Sequence, residues 1–113
     1  MFRIALVSIV CLIMNSFPAA SQEKPLRIGV AGLTHTHVHW ILGREDIGDI
    51  ELVGIAEPNR DLAKRYAEQH GYSMDLVYDS LEEMIAATIP EAVTAFGTIY
   101  DHLEVVETCA PKG

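Results

Sequence analysis

The sequence predicts an α/β protein whose sheet is doubly wound and mainly parallel, preceded by an export signal. After Pro25, short apolar stretches alternate with longer segments of helical spacing, as in βαβ units. Gly32 directly follows the first apolar stretch, and Glu57 directly follows the second. Both residues should therefore lie at the carboxyl edge of the sheet, where doubly wound folds bind their ligands.

The first residues have the pattern of a secretory signal peptide. Arg3 supplies a positive start, residues 4–14 are nearly all apolar, and residues 15–21 are short, small or polar. The apolar run is well below the roughly 20 residues that a membrane-spanning helix needs. We therefore expect residues 1–21 to be removed, leaving an exported, periplasmic or extracellular protein of residues 22–113 without a stable membrane anchor.

Composition and charge narrow the range of partners. The chain carries 16 acidic residues against 8 lysines and arginines, a formal net charge of -8. Nucleic acids and anionic membranes are poor partners for such a protein. Cys109 is the only cysteine outside the predicted signal, so the mature chain cannot form an intrachain disulfide.

The first predicted unit is a strand, a tight turn and a helix. Residues 26–31 form a mainly apolar run that ends at Gly32, as expected for a strand buried on both faces. Thr34 or Thr36 can cap the helix that follows. The apolar spacing of that helix fades at Gly43.

The second predicted unit repeats this order. Residues 51–56 form the second strand, and Glu57 stands at its end beside Pro58, which cannot continue the strand. Asn59 is a good N-cap for a helix that runs to about residue 70, and Gly71 provides its stop signal.

The rest of the chain predicts two more strands, giving a sheet of about four. Residues 77–78 form a brief third strand, and Ser80 with Glu83 forms a capping box for the next helix. Residues 91–96 form a fourth strand. Asp101 then begins a helix that ends near residue 111.

The turn after the first strand suggests a dinucleotide site. Such a site needs a tight turn and backbone N–H groups at a helix N-terminus that face the pyrophosphate. In the fingerprint Gly-x-Gly-x-x-Gly, the three glycine positions here read Gly32, Thr34 and His37, so only the first is retained. By itself this motif is weak.

The acidic end of the second strand supports the same site. Glu57 lies about 25 residues after Gly32, where a carboxylate can accept hydrogen bonds from ribose hydroxyls. A carboxylate there would repel a 2′-phosphate, which favours NAD over NADP. Arg60 lies nearby in the sequence and can either cover the adenine or tolerate that phosphate, so NADP stays open.

His35, His37 and His39 have three interpretations. They can line the pyrophosphate turn, with ring N–H groups replacing contacts of the missing glycines, or they can have no role. They can also bind a metal ion, as closely spaced histidines after a strand do in amidohydrolase-type barrels. No nearby cysteine or acid completes a four-ligand set, so we assign no metal.

The order of these features resembles the Gfo/Idh/MocA family, which includes glucose-fructose oxidoreductase and inositol dehydrogenase. The likeness is carried by residues 26–33, 51–59, 81–84 and 91–102. It implies a Rossmann-type NAD(P)-binding domain and hydride transfer between a sugar or cyclitol and nicotinamide. The residues that it implies for cofactor binding are Gly32, Leu33 and Glu57, then Gly97 and Thr98 in the loop along the nicotinamide, and His102.

The resemblance also implies parts that the chain does not contain. The family's Glu-Lys-Pro motif, with its catalytic lysine, and its substrate domain would follow after Gly113. We therefore expect a truncated oxidoreductase that holds cofactor, is inactive alone, and meets its sugar-like substrate only in a full-length parent. An uncovered sheet edge at the fourth strand would also favour self-association.

Two alternative functions stay open from the sequence. A non-catalytic exported binding protein with a nucleotide-type fold is favoured by the degraded fingerprint after Gly32. A metal-dependent hydrolase fragment that uses His35, His37 and His39 predicts metal in the purified protein.

Overall fold

The computed structural model describes residues 23–113. The predicted signal at residues 1–21 and the start at Gln22 lie outside the described residues. The elements in chain order are β1 Leu26–Ala31, α1 Val38–Leu42, β2 Ile50–Ala56, α2 Arg60–His70, β3 Val77–Tyr78, α3 Leu81–Thr88, β4 Ala92–Ala95 and α4 Asp101–Cys109, with short 3₁₀ turns at Met74–Leu76 and Ala110–Lys112.

The four strands form one parallel sheet in the order β3-β2-β1-β4. Val30 at the centre of β1 lies beside Ile55 of β2 on one side and Thr94 of β4 on the other. The chain therefore moves outward from β1 first in one direction and then in the other. The predicted α/β class and parallel sheet are confirmed.

Helices α1 and α2 cover one face of the sheet. Val30 and Ile55 pack there against Val38 of α1 and Ala63 of α2, and all four side chains have 0% exposure. The β-branched residues on the strands fit a pleated surface that is buried by helices. This face holds the larger of the two clusters of buried apolar residues.

Helices α3 and α4 cover the other face, where glycine makes room for a methionine. Met84 of α3 is fully buried. A Cβ atom on Gly54 would lie 2.7 Å from Met84 Cγ, and one on Gly29 would lie 2.6 Å from Met84 Cε. The helix can therefore pack closely only because β1 and β2 lack side chains at these positions.

The predicted start of α1 is wrong. The helix begins at Val38, and its N-cap position, His37, makes no side-chain cap hydrogen bond. The Thr34 hydroxyl points instead to the Phe96 carbonyl at 3.4 Å, and the His35 N–H donates to the same carbonyl at 2.8 Å. Phe96, the residue after β4, thus holds Thr34 and His35 outside the helix.

The starts of α2 and α3 and the end of α2 follow the predicted signals. The Asn59 side chain accepts a hydrogen bond from the Leu62 N–H at 3.1 Å, and Ser80 Oγ accepts one from the Glu83 N–H at 3.2 Å. Gly71 ends α2 with a left-handed φ of 81°. None of the helices within residues 23–113 is long and apolar enough to cross a membrane.

Candidate functional site

A cleft of about 300 Å³ opens at the carboxyl ends of β1 and β2, beside the loop that follows β4. It includes the boundary between β1 and β4, where the strand order reverses, and doubly wound sheets bind ligands at such a point. Five of the predicted site residues line it: Gly32, Thr34, Glu57, Gly97 and Thr98. The structure therefore gathers residues that are far apart in the sequence.

Two glycine turns touch at the base of the cleft. Gly32 has a φ of 83°, and a Cβ atom built on it would lie 2.7 Å from the Gly97 backbone nitrogen and 2.8 Å from its Cα. The Phe96 N–H donates to the Ala31 carbonyl at 2.8 Å and fixes the two turns together. Backbone atoms can therefore come close to a ligand here without a side chain between them.

Glu57 is buried beneath the cleft and bonded to both neighbouring turns. Its side chain is 4% exposed. One carboxylate oxygen accepts from the Leu33 N–H at 2.8 Å, and the other accepts from the Asn59 N–H at 3.0 Å. Each carboxylate oxygen has two lone pairs. Glu57 thus ties the first turn to the second and still has acceptor capacity toward the cleft.

Most backbone donors of the first turn are already used. The N–H groups that have partners are those of Gly32, Leu33, His35 and His37. Within the part of the chain that the structure describes, only Thr34 and Thr36 in this turn keep an N–H without a protein acceptor. Because Thr34 lines the cleft, its N–H is the donor best placed for a bound anion.

The opposite wall is formed by the loop before α4. Asp101 Oδ2 accepts from the Thr98 hydroxyl at 2.8 Å and from the Thr98 N–H at 2.7 Å. These two hydrogen bonds, with a smaller contribution from nearby His102, hold the pKa of Asp101 below its ordinary value. The wall therefore presents a negative charge and a fixed turn.

Three acidic residues of the cleft were missed in the sequence. Asp79, Asp101 and Glu104 all line it together with Glu57. Asp79 directly follows β3 and Asp101 begins α4, so their positions at the carboxyl edge could have been found from the strand boundaries. No lysine or arginine lines the cleft within residues 23–113. The site is therefore electronegative.

Other predicted residues lie beside the cleft and do not line it. The Leu33 side chain is fully buried, and this residue contributes only its N–H to Glu57. Arg60 pairs with Asp79 at 3.3 Å. His102 is exposed on the first turn of α4. These residues can affect a ligand only through their neighbours or after a change of rotamer.

The histidines after β1 separate into two groups. His35 and His37 are exposed, and the His37 ring stacks on Trp40 with ring centroids 4.1 Å apart. His39 points away from them and meets His70 of α2. No group of three or more histidine, cysteine, aspartate or glutamate side chains among residues 23–113 is arranged to hold a metal ion.

No family model, curated protein or solved structure matches this chain. The resemblance to the Gfo/Idh/MocA family therefore rests on the sequence motifs alone. The function has to be inferred from the geometry of the cleft together with those motifs.

Proposed function

We propose that the cleft binds NAD and that the chain is the nucleotide-binding portion of an exported oxidoreductase. The parent enzyme would transfer hydride between a sugar- or cyclitol-like substrate and the nicotinamide, as the family resemblance implies. One observation supports this above the others: the Gly32 turn and the Glu57 carboxylate meet at the reversal point of a parallel sheet. That combination suits a dinucleotide.

The pyrophosphate would lie over the Gly32 turn. The close contact between Gly32 and Gly97 keeps side chains out of this space, and the free N–H of Thr34 supplies a donor. The Thr34 hydroxyl makes only a long 3.4 Å contact with Phe96, so it can turn toward a phosphate oxygen. With no cationic side chain in the described lining, binding would depend on these neutral donors.

The adenosine ribose would lie over the end of β2. Glu57 has acceptor capacity for the ribose hydroxyls, and its position is fixed by two backbone donors. The carboxylates of Glu57 and Asp79 would both repel a 2′-phosphate. Arg60, the nearby cation that could compensate, is already paired with Asp79. These contacts favour NAD over NADP.

The nicotinamide would extend toward Gly97 and Thr98. Thr98 is held by Asp101, which fixes the loop that borders this end of the cleft. The proposal assigns this chain the binding and orientation of the cofactor. No residue of the chain is assigned the transfer of the substrate hydroxyl proton.

A binding protein without turnover is the second candidate. It is favoured by the electronegative lining and by the small number of free N–H groups in the first turn. Such a protein would bind a ligand in the same cleft without turnover. Reduction of NAD by polyols in the parent enzyme separates the two candidates, because only an oxidoreductase produces NADH.

A calorimetric titration with NADH and NADPH tests the proposal. We expect wild type to bind NADH more tightly than NADPH. Asp79→Asn should raise NADPH affinity about fivefold by removing one negative charge and releasing Arg60, with a smaller effect on NADH. Asp61→Asn is the matched control, since Asp61 is exposed on α2 and outside the cleft lining.

Each possible result of the titration has a distinct meaning. Absence of NADH binding to folded wild type at millimolar concentration would refute the proposed function. Tight binding of NADH with no change of NADPH affinity in Asp79→Asn would support the cofactor site. It would also show that Asp79 does not determine the preference for NADH over NADPH.

A further inference from the structure

Two histidines from different helices point directly at each other. Nδ1 of His39 on α1 lies 2.7 Å from Nε2 of His70, the last residue of α2. The ring centroids are 5.0 Å apart. This distance equals the nitrogen separation plus about one centre-to-nitrogen distance for each ring, so the two nitrogens lie on the line between the ring centres. Such an alignment is that of an N–H···N hydrogen bond. Ligands of one metal ion would instead aim both lone pairs at a third point.

This hydrogen bond depends on protonation. One imidazole donates an N–H and the other must present a lone pair, so the contact survives when both rings are neutral or when one is charged. A second proton removes the only acceptor and places two positive charges in contact. The hydrogen bond is therefore lost when the second ring takes up a proton.

Both histidines lie in the last turn of their helices, where one positive charge is favoured, but no carboxylate in the described part of the chain hydrogen-bonds or forms an ion pair with them to balance a second charge. Tyr66 of α2 packs against the His39 ring at 4.6 Å between centroids, and Arg65 lies 6.0 Å from the Tyr66 ring. Partial burial, and then the proximity of His39, lower the pKa of His70.

The pair connects α2 to the helix that follows the first turn of the cleft. Gly43 ends α1 by donating its N–H to the His39 carbonyl at 2.9 Å, and a Cβ atom there would lie 3.3 Å from the His70 ring. We propose that the His39–His70 hydrogen bond is a pH-sensitive latch that holds α1 against α2 and releases it when both rings are protonated. Release would loosen the turn at residues 32–37.

The direction of the pH effect follows from linkage. In the folded protein the pKa of His70 lies below its ordinary value of 6.5, so the unfolded chain takes up this proton more readily. The stabilisation is complete above that ordinary value and is lost as the pH falls through it toward the lowered pKa. Acidification should therefore open α1 before it affects elements that lack such a pair.

Amide hydrogen exchange tests the latch. The exchange rates of α1 are measured in the whole 113-residue chain at about pH 7.5 and about pH 5, and are corrected for the intrinsic rates at each pH. We expect wild type to lose protection at the Gly43 N–H on acidification. In His70→Gln this loss should disappear, because a glutamine amide can donate to or accept from His39 and does not titrate. His102→Gln is the control and should behave as wild type, since His102 is exposed on α4.

The latch is wrong if wild-type α1 keeps its protection at the lower pH, or if His70→Gln loses as much protection as wild type. Should His70→Gln fail to fold, ¹⁵N NMR of the wild-type imidazole rings decides the question alone. We expect the His39 Nδ1 and His70 Nε2 signals to change together as the hydrogen bond between them is lost. Independent titration of the two rings at the ordinary histidine value would overturn the proposal.

Discussion

At the scale of single residues, Gly32 and Glu57 connect the first turn to its neighbours. Gly32 allows the contact with Gly97, and Glu57 accepts from the N–H groups of Leu33 and Asn59. The sequence predicted that Gly32 and Glu57 would lie at one edge because each directly follows a strand. It could not predict that Glu57 is buried, since its donor on Leu33 lies 24 positions away.

Replacement of Gly32 tests this arrangement. Gly32→Ala adds both the strain of a positive φ and a clash with the Gly97 backbone, which cannot yield as a flexible side chain does. Gly71→Ala is the matched control, because Gly71 has a similar φ of 81° and no atom near its Cβ position. We expect Gly71→Ala to lower the free energy of unfolding by about 1 kcal/mol.

Gly32→Ala should cost about 2 kcal/mol more than the control, because overpacking adds to the strain. Urea unfolding of both variants measures the difference. Equal costs for Gly32→Ala and Gly71→Ala would show that the Gly32–Gly97 contact is not tight.

At the scale of elements, the sequence predicted the features that depend on neighbouring residues and missed those that depend on long-range contacts. The caps at Asn59 and Ser80 were predicted because the capping side chain and its donor are three residues apart. The start of α1 was missed because Thr34 interacts with Phe96, which is 62 positions away. The same limit applied to His39 and His70, whose contact forms only once α1 lies on α2.

The packing of α3 on the sheet gives a prediction at this scale. A methyl group on Gly54 meets Met84 Cγ at 2.7 Å and Thr88 Cγ2 at 3.2 Å, near the base of each side chain. On Gly29 it meets the terminal Met84 Cε, which can move. Gly54→Ala should therefore destabilise the protein by about 2 kcal/mol, and Gly29→Ala by less.

Thermal unfolding of the two variants makes the comparison directly, because each replaces a strand glycine that faces the same methionine. An equal or larger loss of stability in Gly29→Ala would mean that Met84 cannot adjust its terminal methyl group. The close packing of α3 would then depend on β1 rather than on β2.

At the scale of the whole molecule, strand order determines which loops can share a ligand. The order β3-β2-β1-β4 places the turns after β1 and β4 side by side, which strand prediction alone does not specify. Within residues 23–113, β4 pairs only with β1. Its other edge is therefore open, and the self-association expected from the sequence stays a prediction.

The proposed function depends most on where NADH binds. A titration of the ¹⁵N-labelled protein with NADH, followed by two-dimensional NMR, gives that position residue by residue. We predict saturable shifts of the amide signals of Gly32, Thr34, Gly97 and Thr98, with the Gly71 signal unchanged. Unperturbed signals at millimolar NADH, or shifts confined to residues outside the cleft, would contradict a dinucleotide site at this edge of the sheet.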